Sequence, residues 1–171
     1  MNVLPILFEN DEILIINKRA GLAVQGGEKV SHSVDELLAK QIGQKVYPVH
    51  RLDKDTYGIL VVAKSSSAAG KWTQLIASGS VKKQYTAFCL GIPGGFSINK
   101  AIGKKGVFNA DVGNGKDKRS AHTEYTIKSV KMFNHEETEE SFPISLLELT
   151  LGTGRTHQIR IHLAQNGCPI I

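Results

Sequence analysis

Short apolar runs of strand length dominate this sequence and limit its fold class. Leu4–Phe8 and Ile13–Ile16 flank a short polar turn, which predicts a β-hairpin. Gly58–Ala63 is a continuous apolar run, which is typical of a strand in the interior of a sheet. Strands outnumber helices and do not alternate regularly with them. The pattern therefore predicts an α+β fold with a mainly antiparallel sheet.

Three helices are predicted from capping residues and helical spacing of apolar side chains. The first follows Ser33, which has the spacing of a capping box with Glu36. The second follows Ser65 or Ser66, and the third follows Thr156. A glycine stands at the predicted end of each helix.

Length and composition fit an ordinary soluble globular protein, and we expect one domain over residues 1–171. The chain is 41% hydrophobic and 22% charged, and no apolar run approaches the ~18–20 residues that span a membrane. The N-terminal segment lacks the basic start of a signal peptide. Two distant cysteines outside any CxxC exclude a disulfide scaffold and a cysteine-based zinc site, so we expect a cytoplasmic protein. The net charge of +5 permits an anionic partner such as RNA.

The polar segment His50–Gly58 (HRLDKDTYG) is the first candidate site. It leads directly into the predicted interior strand, and a charged loop on a rigid strand is well placed to hold a catalytic carboxylate such as Asp53. The alternative interpretation is an Asx-type turn, in which Asp53 or Asp55 accepts hydrogen bonds from nearby amides.

The glycine-rich segment Gly152–His162 (GTGRTHQIRIH) is the second candidate site. A loop of this kind that runs into a helix start can bind an anion, and Arg155 stands just ahead of the helix. The segment contains no GKS or GKT, so it is not a Walker A loop. His157 and His162 are five residues apart and do not share a helix face as a zinc pair would. A solvated basic helix start explains the same residues without a ligand.

Tyr85 is the third candidate, because it stands beside Lys82 and Lys83 in the sequence. An aromatic ring among lysines suits stacking on a nucleic-acid base with phosphate contacts nearby. The alternative is a strand tyrosine that packs in the core with its hydroxyl at the rim. Further along, Lys100–Arg119 holds six basic and two acidic residues and predicts solvated loops and edge hairpins.

Taken together, these segments resemble the motif set of the RluA-type RNA pseudouridine synthases. HRLDKDTYG is similar to the family's HRLDxxTSG, whose aspartate is catalytic. Lys83–Gly91 (KQYTAFCLG) matches the segment that supplies the active-site tyrosine, and Gly154–Arg160 (GRTHQIR) matches the segment whose first arginine pairs with the aspartate. The opening stretch resembles the family's first motif, including its Lys-x-x-Gly. The motifs stand in the family's order and cover essentially the whole chain.

The resemblance implies an enzyme that isomerises specific uridines in structured RNA to pseudouridine. It implies large-subunit ribosomal RNA rather than tRNA, since Val24–Gly27 is similar to the ribosomal branch. The reaction requires no cofactor and no metal, and we expect a monomer with no membrane partner. The family's architecture is a mixed, mainly antiparallel central sheet with flanking helices and a central RNA-binding cleft.

The resemblance also assigns roles to single residues. Asp53 starts the reaction as nucleophile or as base, and Arg155 keeps the Asp53 carboxylate ionised. Tyr85 stacks on the uracil. Arg51 fills the place that the extruded base leaves in the RNA, and Ile159 forms an apolar wall beside the ring. The remaining candidates for substrate binding are His50, Thr56, Lys82 and Lys83.

The sequence departs from the family pattern at three places. Arg19 stands where the family usually has proline, which predicts a looser loop. Tyr57 replaces a small serine beside the catalytic turn, which predicts a reshaped cleft floor. The chain stops at Ile171, where the family continues with Gly-Asp and further sheet and helix, so we expect a shortened protein or a fragment.

Two other functions compete with the synthase. One is an RNA-binding module that keeps the basic groove without catalysis. The other is a metal- or histidine-dependent hydrolase, which would need His50, His157 and His162 to converge on one site.

Overall fold

The computed structural model describes residues 3–27, 32–103, 118–134 and 140–171. The chain forms two compact units, Met1–Val81 and Lys82–Ile171, and each has its own sheet and hydrophobic cluster. The single catalytic domain over residues 1–171 stays a prediction. Most of the basic Lys100–Arg119 stretch, residues 104–117, lies outside the described residues. No helix in the described ranges is long and apolar enough to cross a membrane.

Unit 1 contains a four-stranded sheet in which all neighbouring strands are antiparallel. Its order is β1-β2-β4-β3, so the apolar run forms an interior strand as predicted. The predicted hairpin is also confirmed, and the side-chain oxygen of Asn10 accepts hydrogen bonds from two amides in its turn. The strands are β1 (Ile6–Glu9), β2 (Ile13–Lys18), β3 (Tyr47–Pro48) and β4 (Gly58–Ala63).

Two helices complete unit 1, α1 (Val34–Ile42) and α2 (Ser66–Ala77). Ser65 caps α2 as predicted, because its hydroxyl accepts a hydrogen bond from the Ala68 amide at 3.1 Å. The predicted capping box of α1 is wrong. Ser33 is the N-cap residue, but its hydroxyl donates to the nearby Asp35 carboxylate instead of accepting from a helix amide.

Unit 2 contains a second antiparallel four-stranded sheet, a small two-stranded sheet and one helix. The order of the larger sheet is β5-β10-β9-β6. The elements are β5 (Gln84–Leu90), β6 (Ser97–Asn99), β7 (Ile102–Gly103), β8 (Lys118–Arg119), β9 (His122–Asn134), β10 (Ser141–Leu151) and α3 (Gln158–Gln165).

The core of unit 2 lies between the larger sheet and α3. Leu147 and Leu149 from β10 and Leu163 from α3 are fully buried in one cluster. Cys89 and Cys168 belong to the same cluster as free thiols, and burial raises the pKa of Cys89 to about 11. Buried apolar side chains thus hold helix on sheet, and the predicted mainly antiparallel α+β fold is confirmed.

Candidate active-site residues

The segment that connects β3 to β4, residues 49–57, carries the candidate aspartate and is named the Asp53 loop. The Asp53 carbonyl accepts a hydrogen bond from the Thr56 amide at 3.0 Å, which closes a tight turn. His50 Nε2 accepts from the Val61 amide of β4 at 3.0 Å and ties the start of the loop to the strand. Gly58 ends the loop with a φ of 135°, a conformation that favours glycine. The Asp53 side chain is therefore held, half-buried, on a short loop fixed at both ends.

A buried ammonium group supports the Asp53 loop from inside unit 1. Lys18 at the end of β2 is fully buried. Its Nζ donates at 2.7–3.0 Å to three backbone carbonyls, those of Arg19, Leu22 and Lys54. Burial lowers the pKa of Lys18, while the charges of Asp55 and Asp53 act in the opposite direction. Lys18 thus places a positive charge near the candidate carboxylate and fixes the backbone beside it.

Tyr85 and Ile159 pack against the same hydrophobic cluster of unit 2. Tyr85 is half-buried on β5, opposite Leu149 of β10 in the strand register. Ile159 is half-buried on α3. The structure therefore brings the predicted stacking residue and the predicted apolar wall to one core, and partial core packing of Tyr85 is also observed.

Arg155 lies on the loop between β10 and α3, and hydrogen bonds hold it at two points. Its Nε donates to the Ser120 carbonyl at 3.0 Å, and its backbone amide donates to Gln158 Oε1 at 3.0 Å. The side chain is half-buried. The contact with Ser120 fixes the direction in which the guanidinium leaves the backbone.

Gln158 organises this loop, although the sequence analysis did not single it out. The side chain is 2% exposed. Its Oε1 accepts from the Arg155 amide and the Thr153 hydroxyl, and its Nε2 donates to the His122 carbonyl and the Thr123 hydroxyl. All four hydrogen-bonding positions of the amide are occupied. The signal in the sequence was that Gln158 is an uncharged amide within an otherwise basic segment.

His162 extends the same network into the core of unit 2. The Thr123 hydroxyl accepts from Gln158 Nε2 and forms a hydrogen bond with His162 Nδ1 at 2.9 Å. His162 Nε2 donates to the Lys100 carbonyl at 3.0 Å, and in the neutral ring with its proton on Nε2 the Nδ1 atom accepts from the Thr123 hydroxyl. Burial lowers the pKa of His162, in agreement with this assignment. The ring is thus engaged in joining α3 to β9 and to the backbone at Lys100.

The start of α3 differs from the prediction. The N-cap residue is His157 instead of Thr156, and it has a left-handed φ of 52° and no side-chain cap. Gln158 binds the Arg155 amide from within the helix, so Thr156 is not needed as a cap. Within the part of the chain that the structure describes, no three His, Cys, Asp or Glu side chains are grouped to hold a metal ion.

The remaining candidate residues lie near the surface. Arg51 is exposed and Thr56 is half-buried in the Asp53 loop. Lys82 is exposed ahead of β5, and the half-buried Lys83 extends the ladder through its carbonyl, which accepts from the Leu151 amide at 3.0 Å. Of the basic Lys100–Arg119 stretch, the described Lys100, Lys118 and Arg119 are exposed.

Comparison with known proteins places the whole chain in one group. A family model described as RNA pseudouridylate synthase matches residues 12–165. Ribosomal large subunit pseudouridine synthase D of Nitrosomonas europaea is 36% identical over 98% of this chain and 48% of its own length. The uncharacterized RNA pseudouridine synthase YhcT of Bacillus subtilis is 37% identical over 98% of this chain and 55% of its own length. The chain therefore spans about half the length of these relatives.

A solved structure shows the same fold. The human protein RNA Pseudouridylate Synthase Domain Containing 4 superimposes with a TM-score of 0.76 at 26% sequence identity. The match covers 97% of this chain and 66% of the human chain. Sequence and fold agree, and the chain belongs to the RNA pseudouridylate synthase family.

Proposed function

We propose that this protein isomerises uridine in structured RNA to pseudouridine and that its substrate is large-subunit ribosomal RNA. The observation that carries the proposal is the family match over residues 12–165, within which the three candidate motifs stand in the family's order. The ribosomal substrate is supported by a relative named for the ribosomal large subunit.

The reaction moves a bond within one nucleotide. The bond from ribose C1′ to uracil N1 breaks, the uracil turns, and a bond from C1′ to C5 forms. The proton on C5 is lost, and N1 gains one. Because reactant and product are isomers, the balance needs no oxidant and no group donor.

Asp53 is the proposed residue that starts the reaction, as nucleophile or as base toward the ribose. A catalytic carboxylate must keep its position and its charge while the base turns. The closed turn to Thr56 and the hydrogen bond from Lys18 Nζ to the Lys54 carbonyl support the first requirement. In the family's motif an arginine pairs with the aspartate, and we assign that role to Arg155.

Tyr85 and Ile159 are proposed to hold the detached uracil by stacking and apolar contact. Their shared packing on one cluster supports this assignment. Arg51 is proposed to enter the RNA where the target base has left, since its side chain is exposed. Lys82 and Lys83 are proposed to contact phosphates, which positions the RNA without reading its sequence. His50 and Thr56 are proposed to contribute to substrate binding.

Replacing Asp53 tests the proposal directly. We expect Asp53→Asn to keep the fold and RNA binding but to release no tritium from a large-subunit ribosomal RNA transcript labelled at uracil C5. The matched control is Asp55→Asn, which removes the same charge from an exposed position of the same loop and should keep turnover. Retained turnover in Asp53→Asn would contradict the assignment. Binding without turnover by the wild-type protein would instead favour the RNA-binding module.

A further inference from the structure

Two residues that depart from the family pattern, Arg19 and Tyr57, adjoin the same strand pair in unit 1. Strands β2 and β4 are antiparallel, and Lys18, the last residue of β2, pairs with Gly58, the first residue of β4. Arg19 and Tyr57 are the next residues beyond this pair. Both residues therefore adjoin the same paired end of the two strands, where the Asp53 loop enters β4.

Tyr57 presents an anchored aromatic ring to solvent. Tyr57 is 64% exposed. Its hydroxyl accepts a hydrogen bond from the Asn17 side-chain amide at 2.8 Å. Ile59, two residues further along the chain on β4, is 54% exposed and adds apolar surface. A ring that is already held in place loses less conformational freedom when a ligand stacks on it.

Exposed cations stand on the chain segments that adjoin Tyr57. Arg19 and Lys54 are both exposed, and one ammonium group, that of Lys18, binds the backbone carbonyls of both. The two cations are thus attached to neighbouring points of the backbone. Arg51 adds a third exposed cation in the Asp53 loop, whose acidic residues are Asp53 and Asp55. An exposed aromatic ring beside cations is the combination that binds single-stranded nucleic acid.

We propose that Tyr57 and Arg19 form a subsite for a nucleotide next to the target uridine. Tyr57 stacks on the base of that nucleotide, and Arg19 contacts its phosphate. The inference rests on the proposed function, because the target uridine defines the position of its neighbour. Stacking tolerates any base but requires that the neighbour be unpaired, so the subsite selects RNAs in which the target lies in a loop or bulge.

Steady-state kinetics test the role of Tyr57 in the subsite. The substrate is a synthetic RNA stem-loop that contains the target uridine. We expect Tyr57→Ala to raise KM about 5- to 150-fold with little change in kcat, since the ring contributes binding and no chemistry. Tyr57→Phe keeps the ring and should remain close to the wild type. Phe96→Ala, which removes an even more exposed ring from unit 2, is the matched control and should leave KM unchanged.

Removing the partner base gives a sharper test. The stem-loop is made with an abasic nucleotide at each position next to the target. When the abasic nucleotide is at the position that meets Tyr57, the wild-type protein should bind the RNA more weakly than it binds the intact stem-loop. The Tyr57→Ala protein should bind both RNAs equally. An equal loss for both proteins at every position, or an unchanged KM for Tyr57→Ala, would overturn the stacking contact.

Salt dependence tests the phosphate contact. Arg19→Gln should make the log–log slope of the affinity against salt less negative by about 0.7–0.9. Lys40→Gln, which removes an exposed cation from α1 of the same unit, should leave the slope unchanged. An unchanged slope for Arg19→Gln would remove Arg19 from the subsite.

The two proposals fail in different ways. If wild-type protein forms no pseudouridine, the proposed function fails. If the wild-type protein is active but neither Tyr57→Ala nor the abasic RNAs alter KM, only the subsite fails. The affinities of the intact and abasic stem-loops can also be compared with the Asp53→Asn protein, which binds RNA without turnover.

Discussion

At the residue scale, Lys18 is a charged side chain in the position of a core residue. A buried ammonium group is costly unless it is paired or fully hydrogen-bonded. Three carbonyls satisfy the three protons of Lys18, and one of them, at Lys54, is 36 residues away in the chain. Lys18 therefore joins the end of β2 to the Asp53 loop.

We expect Lys18→Met to lower the free energy of unfolding by about 2–4 kcal/mol, because three carbonyls lose a buried donor. Urea denaturation measures the change. Lys71→Met is the control, since Lys71 forms an exposed ion pair with Glu12 and its loss should have a much smaller effect. Equal losses of unfolding free energy in the two variants would mean that the buried hydrogen bonds of Lys18 stabilise the fold no more than an exposed ion pair does.

Tyr85 is the second residue whose role can be separated by substitution. If stacking is its main task, Tyr85→Phe should keep most of the turnover, whereas Tyr85→Ala should lose about 5- to 150-fold in kcat/KM. Tritium release measures both.

Tyr85 also packs on the core of unit 2, so Tyr85→Ala could act through a cavity. Tyr85→Leu restores apolar volume without an aromatic ring and serves as the packing control. Recovery of activity in Tyr85→Leu would show that packing, not stacking, is what matters. Equal losses in Tyr85→Phe and Tyr85→Ala would assign the role to the hydroxyl.

At the element scale, α3 is held by buried polar groups as well as by its apolar face. Its N-cap residue makes no side-chain cap. The network of Gln158, Thr123 and His162 joins its first two turns to β9 instead. A fully satisfied buried network fixes one arrangement of helix on sheet, because any shift would leave a polar group without a partner.

This network makes stability depend on pH. The pKa of His162 is lowered in the folded protein from its ordinary 6.5, because burial opposes the charge. The unfolded chain therefore takes up a proton at a higher pH than the folded protein does. The stabilisation is complete above 6.5 and is lost as the pH falls from there toward the lower folded pKa.

We expect the unfolding free energy of the wild type, measured in urea, to fall below about pH 6.5 more steeply than that of His162→Gln, which cannot be protonated there. The difference between the two proteins removes the contribution of the other histidines. A difference that stays constant with pH would mean that His162 is protonated equally in both states.

At the scale of the whole molecule, the basic excess is unevenly distributed. Unit 1 has nine basic and eight acidic residues, whereas unit 2 has 12 and eight. Unit 1 therefore has a net charge of +1 and unit 2 a net charge of +4. Lys82 and Lys83, the proposed phosphate contacts, belong to this more basic unit.

If about four phosphate contacts form, the affinity for a ribosomal RNA transcript should fall with salt at a log–log slope of roughly −3. Filter binding of the Asp53→Asn protein over a series of KCl concentrations measures the slope. Lys82→Gln combined with Lys83→Gln should make it less negative. A slope near zero would exclude the basic residues from the binding surface.

Local features of the fold were predictable because neighbouring residues determine them. The first hairpin, the interior strand and the Ser65 cap depend on alternation, apolar runs and a hydroxyl next to its helix, and all three are confirmed. The two wrong caps fail for a related reason. At Ser33 and Thr156 a competing side chain, Asp35 or Gln158, takes part in the hydrogen bonding instead.

From the sequence alone follow the α+β class and the family, because both depend on residue types at short spacing along the chain. The roles of Asp53, Arg155 and Tyr85 stay predictions of the same origin. Only the tertiary structure revealed the buried Lys18, the Gln158 network and the neighbouring positions of Arg19 and Tyr57. Each depends on groups 35 or more residues apart in the chain, whose meeting is decided by strand register and burial and leaves no local pattern.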